Sequence, residues 1–171
     1  MAVRNPDAYG PAWLVKGIRV AAGQVEAIQA LDNTNLRDTV IIESSAASNI
    51  PAPQWDSTAT IRLSKAGKDT LEYEINGTGP QFAVFSEVYY PAGWNAYLDG
   101  QKTEYLNVNY VLRGMPVPAG KHTVRFVFEP SSYKQGTSLM FISSILIAIV
   151  VLGGLFMTWR ESQKTKGLKT G

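Results

Sequence analysis

The sequence contains no cysteine and a single histidine, His122. The first absence removes any disulfide framework, and the two together rule out the usual zinc ligand sets. A nucleophilic triad needs a base beside its nucleophile. Only His122 could serve, and no Gly-x-Ser-x-Gly elbow accompanies it. A lone histidine between Lys121 and Thr123 in a strand reads as structural. Glycine-rich phosphate loops, internal repeats and low-complexity tracts are also missing. No metal or cofactor is expected. The residues before position 135 are slightly acidic on balance, the wrong sign for a nucleic-acid partner. The amino terminus, Met-Ala-Val-Arg-Asn-Pro-Asp, lacks the apolar core of a signal peptide. Charge is absent altogether from residues 135–159.

That last absence is the most informative. Residues 138–158 are mostly apolar. As a helix they would extend about 31 Å, the thickness of a bilayer core. Backbone groups in lipid must be satisfied internally, which requires the helical form. A transmembrane helix over 137–159 is therefore expected. Behind it come Arg160, Lys164, Lys166 and Lys169 against Glu161 alone. The positive-inside rule puts this basic tail, 160–171, in the cytoplasm and residues 1–136 outside the cytoplasmic (inner) membrane. Tyr133 and Trp159 fall where aromatic belts are found. Ser144, Ala148, Gly153 and Gly154 would let other transmembrane helices approach closely. One C-terminal span does not by itself export the residues that precede it. The simplest resolution is that the sequence is the end of a longer polytopic protein.

The outer part reads as β. Residues 12–20 are rich in β-formers and read as a first strand. Val25, Ile28 and Leu31 share one face of a short helix within Gly23 to Asp32. Thr39 to Ile42 reads as a strand, and the segment with Pro51 and Pro53 as a loop. From residue 58 alternation sets in. Ala59, Ile61 and Leu63 oppose Thr60 and Arg62; Leu71, Tyr73 and Ile75 oppose Glu72 and Glu74. Asn76-Gly77 supplies a turn signal. Phe82 to Phe85 is apolar on both faces, which marks a central strand. Asp99-Gly100 matches a two-residue type I′ hairpin turn after Trp94–Leu98, with a return strand from Lys102 to Leu106. Tyr110 to Val117 and Lys121 to Phe128 complete the set. The expected fold is mainly β: an antiparallel β-sandwich with one short helix, followed by a single C-terminal transmembrane α-helix.

Chemistry-bearing groups are few. Glu72 and Glu74 lie on one strand face, and a solvated face explains them better than glycoside hydrolysis. Asp99 is a turn residue. Glu87 follows the central strand and precedes an aromatic corner. Tyr89, Tyr90, Trp94, Tyr97, Tyr105 and Tyr110 crowd that corner, and aromatic faces on a sheet can stack on sugars. Trp94 shares its face with Ala96 and Leu98, which points to core, whereas Tyr97 lies opposite. Arg113 either faces a ligand or pairs with a carboxylate such as Glu87. The expected glycan contacts are Tyr90, Trp94, Tyr97, Arg113 and Glu87. Catalytic residues are not expected in this chain.

Two runs carry a family resemblance. Ser86-Glu87-Val88-Tyr89-Tyr90-Pro91-Ala92-Gly93-Trp94-Asn95-Ala96-Tyr97-Leu98-Asp99-Gly100 resembles the C-terminal outer domain of bacterial YfhO-family membrane proteins. Tyr110-Val111-Leu112-Arg113-Gly114-Met115-Pro116-Val117-Pro118-Ala119-Gly120-Lys121-His122 is similar to that family's next signature. Phe128-Glu129-Pro130 before a last membrane helix fits too. The resemblance implies a large polytopic protein of the GT-C glycosyltransferase type, moving sugars from lipid-linked donors onto cell-envelope polymers. In that class the catalytic carboxylate lies in an early outer loop, which this sequence does not include. The implied partners are the lipid bilayer, the parent protein's other transmembrane helices, and a glycan or lipid-linked sugar. The alternative is a stand-alone membrane-anchored carbohydrate-binding or assembly module without enzymatic activity.

Overall fold

A computed structural model describes residues 8–130, 140–154 and 157. The chain divides into two compact units, Met1–Glu129 and Pro130–Gly171. In the first, two sheets are built from β1 (Ala12–Val15), β2 (Gly17–Ala21), β3 (Thr39–Glu43), β4 (Thr60–Ala66), β5 (Thr70–Gly77), β6 (Gln81–Val88), β7 (Trp94–Leu98), β8 (Gln101–Thr103), β9 (Leu106–Val108), β10 (Leu112–Val117) and β11 (Gly120–Phe128), with α1 (Gln24–Leu31) between β2 and β3. The six-stranded sheet runs β1-β6-β10-β9-β3-β2 and the five-stranded sheet β4-β5-β11-β7-β8.

The expected first strand is in fact two. Lys16 alone separates β1 from β2, yet these are the two outer strands of the six-stranded sheet. One residue spans at most about 3.6 Å, so the sheet must curl until its ends meet at Lys16. The curl explains why β6 is apolar on both faces. Phe82 and Val84 join Val15, Val40, Ile42 and Val108 in a cluster on one face. Ala83 and Phe85 face the other sheet and pack with Tyr73, Ile75, Ala96, Met115, Val117, Val124 and Phe126.

The strand pairing is antiparallel except between β2 and β3, which run parallel through α1. A parallel pair needs a crossover connection, and the short helix supplies it. The buried face of that helix differs from the one expected. Ala27 and Ala30 are buried against Ala21 and Ile41, while Val25 is 71% exposed and Ile28 46%. Small side chains let the short helix lie close on β3, and the branched ones turn outward. The expected turn at Asn76-Gly77 is also displaced. Gly77 ends β5, and a Cβ there would come within 3.0 Å of the Gln81 side chain. Its absence of a side chain serves close approach rather than a turn. Asp99 (φ 50°) and Gly100 (φ 84°) form the expected hairpin turn.

In the second unit α2 covers 140–154, and residue 157 is helical too. Every described residue of α2 is exposed. The hydroxyl of Ser144 donates to the Met140 carbonyl at 2.8 Å, so its polar group is satisfied within the helix. At 1.5 Å per residue α2 is about 22 Å long. No helix among the described residues is long and apolar enough to cross a membrane. The expected span therefore exceeds what is described. Its residues 137–139, 155, 156, 158 and 159 lie outside the described set, as do Tyr133 and the basic tail.

Candidate functional site

The aromatic corner is organised by a β-bulge. Along β10, Leu112 pairs with Val88 but Arg113 pairs with Phe85, so Ser86 and Glu87 have no partner opposite them. Bulges re-aim side chains, and this one turns Arg113 into the space between the sheets. Arg113 is only 2% exposed. Its Nε donates to the Val88 carbonyl across the bulge at 2.9 Å. Its guanidinium lies 4.5 Å from the centre of the Trp94 ring, 5.0 Å from Phe126 and 5.9 Å from Tyr105. Nη1 is buried without a hydrogen-bond partner. Desolvation lowers the Arg113 pKa, opposed by Tyr105, Glu87 and Tyr73. The expected Arg113–Glu87 ion pair is not among the salt bridges of the described residues. Half-buried Glu87, unpaired in the bulge, acts on Arg113 through its charge without a direct ion pair. Aromatic faces, which attract a desolvated cation, take the place that a carboxylate was expected to fill.

Around this cation the rings interlock. Phe85, Phe126 and Tyr73 meet edge to face, with centroids 4.7 to 6.3 Å apart. Tyr105 packs on Phe126 at 5.4 Å and on Tyr89 at 5.2 Å, and its hydroxyl donates to the Trp94 carbonyl at 3.1 Å. Burial raises the pKa of Tyr105 and pushes that of Tyr73 up to about 12. Both phenols stay protonated at neutral pH.

In front of these rings lies a cleft of about 400 Å³, lined by Tyr89, Trp94, Asn95, Thr103, Glu104 and Tyr105 among others. It combines ring faces with an amide, a hydroxyl and a carboxylate, the mixture that orients a polar ligand on an apolar floor. Of the five expected contacts, Trp94 lines the cleft and Arg113 backs the Trp94 ring. Tyr90, Tyr97 and Glu87 do not line it. Tyr97 is on the opposite face of β7, where its hydroxyl donates to Glu129 Oε2 at 3.0 Å and Arg125 lies 5.4 Å from its ring. That hydrogen bond raises the Tyr97 pKa. Tyr90 stands exposed at the end of the domain. Thr103 and Glu104 were not foreseen, because nothing in the sequence showed that the chain crosses between sheets from β8 to β9 at this point.

The outward face of the five-stranded sheet carries Glu74, 2.7 Å from Arg62, and Glu72 opposite Arg125. These carboxylates are partners on a solvated face, as expected for an alternating strand. His122 Nδ1 lies 2.6 Å from Asp99 Oδ2, and its Nε2 3.2 Å from the Ala119 carbonyl. The histidine thus ties the hairpin turn to the turn before β11.

Two sheets, an aromatic corner and an exposed, uncharged apolar helix beyond the last strand define a mainly β chain. The family model described as bacterial membrane protein YfhO matches residues 56–140. The chain belongs to this YfhO family of bacterial membrane proteins. No curated protein matches it, and no solved structure does.

Proposed function

We propose that this chain is the C-terminal accessory outer domain and last transmembrane helix of a YfhO-type polytopic protein, with the cleft beside Trp94 holding a glycan. The parent protein, on this reading, transfers sugars from lipid-linked donors to cell-envelope polymers, and catalysis lies in its multispanning part. The observation that carries the reading is the reach of the family match. It runs from residue 56 through all of the five-stranded sheet and the aromatic corner to residue 140, the first described residue of α2.

The glycan assignment is supported by the cleft itself. The Trp94 ring lines it, packed by the Arg113 guanidinium at 4.5 Å and by Phe128 at 5.3 Å, and Asn95, Thr103 and Glu104 offer hydroxyl-binding groups at its wall. Arg113 acts there as a positioning residue. A membrane crossing over 138–158 is supported by the uncharged sequence, the exposed apolar surface of α2 and the internally bonded Ser144. The basic residues after it favour a cytoplasmic C-terminus.

The test uses the full chain in lipid nanodiscs against a panel of cell-envelope glycans. Trp94→Ala should weaken retention about tenfold, equivalent to ~1.4 kcal/mol, while Tyr97→Ala leaves it unchanged. Retention that ignores Trp94, or none for any glycan, removes the reading. Replacing 138–158 by polyleucine separates an integrated last helix from a simple anchor. Loss of function on that exchange supports the accessory-domain reading.

A further inference from the structure

One end of the β-domain presents an apolar surface with no cover. Val88 is 65% exposed, Tyr90 52% and Val111 46%, with Tyr110 and Phe128 exposed beside them. The contacts make this one patch. Val88 pairs with Leu112, and the Tyr89 amide donates to the Val111 carbonyl at 2.8 Å. The Tyr90 and Phe128 rings both press on Gly93, where a Cβ would come within 2.7 Å and 2.4 Å of them. Two of the neighbouring charges are taken up elsewhere, while the exposed turn with Lys68 and Asp69 borders the patch where the Phe128 amide donates to the Asp69 carbonyl at 2.9 Å. Arg113 is buried, and Glu129 accepts from Asn95 and Tyr97 on the outward sheet face.

The patch is held in place at some cost. Asn109 and Tyr110 both have left-handed backbones, with φ of 47° and 71°. For a residue with a bulky side chain this conformation is unfavourable. The turn is locked from within: the Ile41 amide donates to Asn109 Oδ1, and the Asn109 amide donates to the Ile41 carbonyl, both at 2.9 Å. The result is an aromatic ring and a valine directed outward. A strained, anchored loop that displays apolar groups is a feature that folding alone does not require. Exposed apolar patches mark surfaces that meet a partner or a membrane.

We propose that this patch seats in the headgroup layer of the bilayer in which this YfhO-family protein resides. Tyrosines, apolar in body and polar at the tip, suit that layer. The domain's exit lies at the same end, because the Glu129 amide donates to the Gly93 carbonyl at 2.7 Å. The chain beyond it leads to the uncharged helix α2. The inference rests on the family's membrane location and not on the glycan reading, so each can fail without the other.

The absence of native cysteine permits a direct test. Val88→Cys, Val111→Cys and Val25→Cys are each labelled with an environment-sensitive fluorophore in the full chain, reconstituted in phosphatidylcholine–phosphatidylglycerol vesicles. Val25, on α1, is the exposed control. Labels at 88 and 111 should shift to the blue and lose most of their emission to lipids bearing a nitroxide near the headgroup. The label at 25 should respond instead to aqueous iodide. Equal iodide quenching at all three positions overturns the proposal. A blue shift at 88 and 111 without nitroxide quenching also overturns it, since it would place the patch against protein.

Discussion

The two sheets of the β-domain use their faces differently. In the five-stranded sheet, β11 sets Val124 and Phe126 inward and Thr123 and Arg125 toward solvent. In the six-stranded sheet, β6 buries Phe82 and Val84 on one side and Ala83 and Phe85 on the other. The first sheet can spend one face on charge because only the other meets the interior. The second cannot, because its curl gives each face its own apolar cluster. A side chain's worth therefore depends on which sheet carries it as much as on its type.

The sharpest test of that contrast removes one ring from each of the two apolar clusters that flank the curled sheet. Phe82→Ala and Phe126→Ala should each lower stability by about 3–5 kcal/mol, read by urea unfolding of the full chain in detergent micelles. Arg125→Ala, on the solvated face, should change it by less than about 0.5 kcal/mol. If Phe82→Ala costs no more than Arg125→Ala, the outer cluster is not a second core and the contrast fails.

The next effect probes how tightly that second cluster is filled. A Cβ at Gly114 would meet Phe82 at 2.8 Å and Val108 at 2.9 Å. Neither side chain has room to move, so Gly114→Ala should cost about 1–3 kcal/mol by overpacking. The double variant Gly114→Ala with Val108→Ala should recover part of the loss. No recovery would mean that the strain lies in the backbone and not in the cluster.

The same contrast decides what the sequence revealed. Strict alternation exposed β4, β5, β7 and β11, since period two shows only where one face is wet. It also put Trp94, Ala96 and Leu98 on the core side, where they lie. The apolar run of β6 was readable as central, but its two clusters were not. They depend on a closure through Lys16, which leaves no periodic trace. The parallel β2–β3 pair was missed for the same reason. At the corner, the crowd of aromatics was legible, and so was the interest of Arg113. Its partners were not. A bulge opposite Leu112 and Arg113 leaves Ser86 and Glu87 without paired partners, and no local pattern announces a bulge. Thr103 and Glu104 reach the cleft only through a crossover between sheets.

Arg113 and Arg125 extend the comparison to charge. Both lie over aromatic rings, one buried and one exposed. A buried cation without a close carboxylate carries a desolvation cost that methionine would not. Arg113→Met fills the same space, loses the bond to Val88 and relieves that cost, so stability should shift by less than about 1 kcal/mol. Arg113→Ala adds a cavity under Trp94 and should cost about 2–3 kcal/mol. Equal losses in the two variants would show that the guanidinium's bonds outweigh its desolvation. Arg113→Met should still weaken glycan retention, because the Trp94 ring loses its support.

The smallest effect belongs to the exposed side and is read by pH. His122 Nδ1 faces the Asp99 carboxylate and Nε2 faces a carbonyl, so only the doubly protonated ring donates to both. The Asp99 bond is the main cause that raises the His122 pKa above 6.5. The His122 bond, then the Thr123 amide, lower that of Asp99 below 3.8. The histidine's contribution is complete below its unfolded value near 6.5 and fades as pH rises through the higher folded value. The carboxylate's contribution is complete above its unfolded value near 3.8 and fades as pH falls through the lower folded one. The pair is thus at full strength between those unfolded values. Because Asp99 is exposed, the gain should stay below about 1 kcal/mol. Asp99→Asn keeps a favourable Asn-Gly turn and removes the charge, so melting temperature should lose its decline between pH 6 and pH 9. An unchanged decline in that variant would place the titrating group elsewhere.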